Sequence, residues 1–330
     1  MRLLFAFIPL ILASPLSAGD GRIPVMRVEP LPANQASFIA GATERTRWHF
    51  DPDYPRPFFF PFNGPSGSSL TRMGHPGDTS HDHHRSLWFA HHDVEGFSFW
   101  ADGKGTQIRQ KAWLCYQDGD AESSMAVRLG WFAPDGRELM EQELIAALRA
   151  LPDGETTLEL QSLFRPAAGL PKVQLGKTNF GFLAVRVAKS ISEHFGGGIL
   201  TNSEGQVHEA EIFGKPAEWM DYSGPVAPDG KTEGITYFNH PSNPRSPAKW
   251  HVRQDGWMGA SVCMDEGLTI TPESPLRLRY LLHAHSGPLD SARAKEQLSS
   301  FANRPSLEIA KPTGKHLQWE IRRISAVTVP

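Results

Sequence analysis

Hydrophobic and polar positions alternate along this chain in short runs, and the runs are broken every few residues. "AWLCYQ", "MAVRLGWFA", "TTLELQSLF", "GFLAVRVA", "SPLRLRYLLHAH" and "LQWEIRRISAV" each have the length and period of a strand. With 30 glycines and 27 prolines as punctuation, long helices have little room. "APDGREL" and "LPDGETTLEL" each place a Pro-Asp-Gly turn before a strand-like run, the pattern of an antiparallel meander. "LRLRYLLHAH" alternates as a strand with one wet face does. Two stretches differ. "ELMEQELIAALRAL" is helical by composition, although its place between two Pro-Asp-Gly turns also allows a strand pair. "LDSARAKEQLSSFANR" predicts a helix from Leu289, capped by Asp290 or Ser291, with Ala292, Ala294, Leu298 and Phe301 on its apolar face. The pattern predicts an all-β fold, a large antiparallel sandwich with one short C-terminal helix; a jelly roll is the alternative.

The first residues read differently. Met1 and Arg2 precede "LLFAFIPLILA" and then "SPLSAGD", the basic start, apolar centre and small-residue exit of a secretory signal peptide. Residues 1–18 are assigned to it and 19–330 to a single β-sandwich domain, periplasmic or secreted. No later run is long and apolar enough to span a bilayer, so no membrane insertion is expected after cleavage. Net charge is -3, from 33 Lys+Arg against 36 Asp+Glu, and there is no basic run, so nucleic acid is not an expected partner. Cys115 and Cys263 are either one disulfide or two free thiols, with free thiols favoured.

Candidate chemistry begins at "GHPGDTSHDHHRSLWFAHHDVEGFSFW", which holds His75, His81, His83, His84, His91 and His92. If Ser80 to Arg85 is extended, His81 and His83 share a side and His84 takes the other. Such a pair is one way a β-protein presents two imidazoles to a metal, and His283 and His285 form a second pair. A divalent metal is therefore a candidate cofactor, with Asp82 and Asp93 as further donors. Neutral histidines in a wet cleft, handling sugar hydroxyls and protons, are the metal-free alternative. Downstream, "AEWMDYSGP" gathers Trp219, Asp221 and Tyr222, and "YFNHPSNPRSPAKWHVR" adds Asn239, His240, Asn243, Trp250, His251 and Arg253. Aromatic faces beside Asp, Asn, His and Arg suit a carbohydrate, and an Arg clamp suits an acidic one.

"RPFFFPFNGPSG", "DHHRSLWFAHHDVEGFSFW", "TNSEG", "WMDYSGP", "HPSNPRSPAKWHVR" and "LRYLLHAHSG" resemble, in order, the motifs of the PmoA-like family, from about Pro55 to Gly287. The resemblance implies an exported bacterial protein from a polysaccharide-degrading setting, often near sugar oxidoreductases, and a sandwich resembling the galactose-mutarotase-like supersandwich. The family's histidine motif falls on His81, His83, His84, Arg85, Trp88, His91 and Asp93. Asp82 stands where the family has Pro and His92 where it has Gly; His285 matches, while His283 replaces an aliphatic residue. From residues and resemblance together we expect an exported carbohydrate-active lyase or hydrolase acting on a glycoside of an acidic or oxidised sugar. His84, Arg85, Tyr222 and His240 are its candidate catalytic residues. Trp88, His91, Asp93, Trp219, Asp221, Asn239, Trp250, His251 and Arg253 are candidates for binding, and His81, His83 and His285 for a metal. A metal-dependent oxygenase, as the family label would have it, and a non-catalytic glycan-binding protein are the alternatives.

Overall fold

Alternation sorts "TTLELQSLF" as expected: Leu158, Leu160 and Phe164 enter the core, while Gln161 and Arg165 face the other side. Repeated over the chain, this sorting gives two sheets of eight strands, every neighbouring pair antiparallel. The structure is a computed structural model and describes residues 23–226 and 229–324; the expected signal peptide lies outside them. Across the first sheet the strands run Met26–Leu31, Gln35–Ala40, Thr43–His49, Phe58–Phe62, Leu87–His91, Gly181–Arg186, Trp257–Ala260 and Trp250–Arg253. Across the second they run Ile199–Asn202, Trp219–Pro225, Thr232–Asn239, Leu276–Ser286, Thr156–Pro166, Glu138–Ala150, Ser123–Phe132 and Gln107–Gln117. The sheets face one another across one apolar core. Phe89 of the first meets Phe164 and Tyr280 of the second, with ring centroids 6.3 and 6.4 Å apart. This is the all-β antiparallel sandwich read from the sequence.

The helix Ser291–Asn303 forms where expected, with Asp290 Oδ1 accepting from the backbone N–H of Ala292 and Arg293. Its buried face is Ala294, Leu298 and Phe301, with Ala292 exposed. Glu138–Ala150 is one 13-residue strand, not a helix. Both of its edges carry long partners, Ser123–Phe132 and Thr156–Pro166, and that double ladder overrides a composition of good helix formers. Leu276–Ser286 has no wet face along its middle, because the C-terminal helix covers Trp219, Phe238 and Leu281 on the outer side of the second sheet. Cys115 and Cys263 are both free.

The same outer side holds buried charge. Glu159 is 1% exposed and accepts from Arg279 at 2.8 Å, Arg323 at 2.9 Å and Arg304 at 3.3 Å. Removing one partner of such a cluster strands the others away from water. Glu159→Gln is therefore expected to lower stability by about 3 kcal/mol or more, read from the denaturant midpoint. A loss within experimental error would show that solvent already screens these arginines.

Candidate functional site

Three strands of the first sheet build a floor on its outer face. In Leu87–His91, Leu87 and Phe89 join the core while Trp88 and Ala90 point outward. Opposite them, Ala184 pairs with Trp88 in one ladder and with Gly259 in the next. These small residues leave room for large rings: a Cβ on Gly259 would lie 3.3 Å from the Trp257 indole. Trp88, Trp100, Trp257 and Phe180 fill that room, with Trp100 and Trp257 centroids 5.0 Å apart and edge to face.

The histidine segment lies over this floor. Ser80 to Arg85 is not an extended strand: Thr79–His81 is a single helical turn, capped by Asp78 through Ser80 N–H. The turn, rather than strand alternation, brings His81, His83 and His84 to the same side. Rings of His81 and His83 stand 5.9 Å apart, and His83 and His84 4.3 Å. His84, 7% exposed, is stacked between Trp88 at 5.5 Å and Trp257 at 5.3 Å. The strand Trp250–Arg253 closes the far wall, with Trp250 and Val252 in the core and His251 and Arg253 beside the rings. Together these residues, with His92, Arg186 and Asp255, line a cleft of about 340 Å³.

Electrostatics disfavours the charged forms of His83, His84 and His251. Burial, then the charge of Arg56, holds His83 below the ordinary histidine range. Burial and then Arg186 drive His84 far below it, and burial with Arg253 holds His251 at about 3. Tautomers are set by neighbours. His83 Nδ1 donates to the Ser80 carbonyl at 3.0 Å, and His251 Nδ1 to the Asn179 carbonyl at 3.2 Å. Both rings therefore carry a bare lone pair at Nε2. His81 Nδ1 is likewise bonded to Asp78 Oδ2, at 2.9 Å. Among the described residues, His251 Nε2, His84 Nδ1, Trp257 Nε1 and Arg186 Nε have no hydrogen-bond partner and are sealed from solvent. Each such group costs about 1–3 kcal/mol until something bonds to it, and four of them border one cleft.

Of the expected site residues, His81, His83, His84, His251 and Arg253 meet at the cleft, and Trp88 lies beneath it. Arg85 sits behind it, held by Asp102 at 2.6 Å. His91 is fully buried, stacked on Phe182 and bonded to the Gly176 carbonyl, and Asp93 accepts from Gly96 N–H in the following turn. The others serve elsewhere. Tyr222 is in the core and donates to the Arg253 carbonyl at 2.7 Å, so it braces the cleft wall without reaching the cleft. Trp250 donates to the Ala217 carbonyl from within the core, and Trp219 is covered by the C-terminal helix. Asn239 and His240 belong to a network with Asn243 and Arg279 on the second sheet. Asp221 is fully buried there, accepting from Ser223, Thr236 and His285.

The metal set does not assemble. His285 is committed to Asp221 at 2.8 Å on the second sheet, away from the cleft that His81 and His83 line. Among the described residues no three His, Cys, Asp or Glu side chains converge on a point that could hold a metal ion. Sequence reasoning missed Trp100, Phe180, Arg186, Asp255 and Trp257. Asp255 and Trp257 had a signal, the "QDGW" hairpin turn just after His251 and Arg253; Arg186, deep in an apolar run, had only its charge.

Two expectations follow from this geometry. Tyr222→Phe should lower stability by about 1 kcal/mol, one buried hydrogen bond, while leaving ligand affinity at the cleft unchanged. Loss of affinity with full stability would instead make the hydroxyl part of the site. His91 and His240 are held at about 4 and His251 at about 3, against an ordinary 6.5. Below pH 6.5 the unfolded chain binds protons that the folded chain refuses, so stability should fall as the pH drops from about 6.5 toward 3. His285, raised by Asp221, opposes this in part, since its contribution is present at low pH and fades as pH rises. A urea midpoint at pH 5 equal to that at pH 7 would contradict this balance.

No helix among the described residues is long and apolar enough to cross a membrane. No curated protein matches the chain. Among solved structures, the GalM/aldose epimerase homologue from C. elegans aligns over 80% of this chain and 99% of its own, with 8% identity and a TM-score of 0.33, a likeness too loose to bear on the site. The profile of a family of unknown function, DUF6807, matches residues 35–299, a span that includes every residue lining the cleft, and the chain belongs to that family.

Proposed function

We propose that this chain is an exported carbohydrate-active enzyme, a lyase that breaks a glycosidic bond in the histidine cleft. One observation carries the reading. His83 and His251 are neutral, fixed in the Nδ1–H tautomer by backbone carbonyls, and placed with bare Nε2 atoms beside an aromatic floor. Trp100, Phe180 and Trp257 offer faces for the C–H side of a sugar ring, and the imidazoles accept from its hydroxyls. The signal-like start of the chain and the resemblance of its motifs to PmoA-like proteins support export and a polysaccharide setting.

Elimination fits the lining better than hydrolysis. A hydrolase needs two carboxylates across the bond, and Asp255 is the only carboxylate among the lining residues, already bound to Arg186. In the elimination, Nε2 of His83 removes a proton from the carbon beside a carbonyl group. The freed electron pair forms a C=C bond and the glycosidic C–O bond breaks. Water in the open cleft returns a proton to the departing oxygen. Arg253, at the cleft wall, stabilises the negative charge that develops on the carbonyl oxygen.

Incubation with a panel of polysaccharides should yield an unsaturated product, detected by its ultraviolet absorbance and mass. His83→Ala should lower kcat by about 10²–10⁴-fold, the usual worth of a positioned base. Full activity in that variant would overturn the assignment, as would saturated, water-added products.

A further inference from the structure

The protein behind the cleft holds more guanidinium than carboxylate. Arg56 and Arg85 share one partner, Asp102: Arg56 Nη2 donates to Oδ1 at 3.0 Å, while Arg85 donates to Oδ1 at 3.2 Å and Oδ2 at 2.6 Å. Arg186 takes both oxygens of Asp255, at 2.7 and 3.0 Å. Arg72 stands in the same field, but it donates to the backbone carbonyls of Val187 and Asp255, and its Nη1 is sealed from solvent with no partner. Four arginines thus enclose two carboxylates. Arg253 is matched separately by Glu209, at 2.6 Å, and Asp78 is at the exposed rim with His81. Arg56 and Arg186 are 2% and 1% exposed, so water does little to screen them.

The guanidinium charges push their surroundings in one direction, with Asp102 opposing them at His83 and Asp255 at His75. Besides burial, Arg56 pulls His83 down, and Arg186 pulls down both His84 and His75. The histidines answer the field by staying neutral, which removes positive charge but supplies no negative charge. An anion entering the cleft would do so.

Resting on the carbohydrate reading above, we infer that the activating group of the sugar is a carboxylate, so that the substrate class is a uronic-acid glycoside rather than a neutral keto-sugar. A neutral ring would bond to the open imidazole of His83 but leave the guanidinium excess unmatched. A carboxylate answers both needs, and its plane suits a guanidinium fork such as Arg253, which is half-exposed on the cleft wall. The same charge that binds it acidifies the neighbouring C–H, which is where the elimination begins.

The test is titration calorimetry with matched methyl glycosides of glucose, galactose and mannose, each as neutral sugar, uronate and 6-sulfate. At least one uronate should bind about tenfold or more tightly than its neutral counterpart, a gap that narrows as salt rises. Arg253→Gln should shrink that preference, and Glu209→Gln, which frees Arg253 from its partner, should enlarge it. Opposite responses of the two variants separate a local charge effect from misfolding. Neutral sugars binding as well as uronates would overturn the inference and leave the carbohydrate reading standing, and sulfates binding more tightly than uronates would overturn the carboxylate assignment. Binding of no sugar in any form would overturn the carbohydrate reading itself.

Discussion

Arg186 is almost wholly removed from water, and its charge is tolerable only because Asp255 accepts both of its terminal nitrogens. That pair joins the end of one strand to the turn between Trp250–Arg253 and Trp257–Ala260, so it fixes the far wall of the cleft against its floor. Asp255 also holds His75 Nε2 at 3.1 Å, and its backbone carbonyl receives Arg72. Gly256, at φ +99°, lets the chain double back sharply enough for Trp257 to return to the floor. Without the ion pair the turn, the floor and the histidine segment would have no common anchor.

On that anchor the electrostatics follow from packing. The His83, His84 and His251 imidazoles are partly or wholly desolvated and lie near a guanidinium, and both effects disfavour the imidazolium. Neutral rings with fixed tautomers are proton acceptors at neutral pH, a state that exposed histidines do not hold so firmly. Four unpaired polar atoms along the lining mark where the fold has given up internal satisfaction.

The two outer faces divide the work. On the second sheet the buried charges are answered within the protein: Glu159 by three arginines, Asp221 by Ser223, Thr236 and His285, and Glu155 by His283 and Arg293. The C-terminal helix and the Leu307–Ala310 and Glu320–Arg323 strands pack over parts of that side. On the first sheet, the stretch beside Trp257 has no comparable cover, and its unpaired polar atoms border an open cleft, whereas Trp219 Nε1 and Arg279 Nε on the second sheet are unpaired beneath its cover.

Period-two alternation, Pro-Asp-Gly turns and an Asp-capped amphipathic run were enough to read an all-β antiparallel sandwich with a C-terminal helix. The density of imidazole between His75 and His92 was enough to place the cleft. These features are local, written in neighbours along the chain. What alternation cannot say is which outward-facing side chain will be covered. Trp219 and Trp257 are alike as sequence, yet a helix buries the first in a satellite core, while the second borders an open cleft. Tyr222, His240 and His285 carry the right chemistry but sit on strands whose neighbours absorb it, and Arg186 became part of the site only through Asp255, 69 positions away. Pairing across such distances depends on sheet order and on what packs over each face, and only the folded chain decides those.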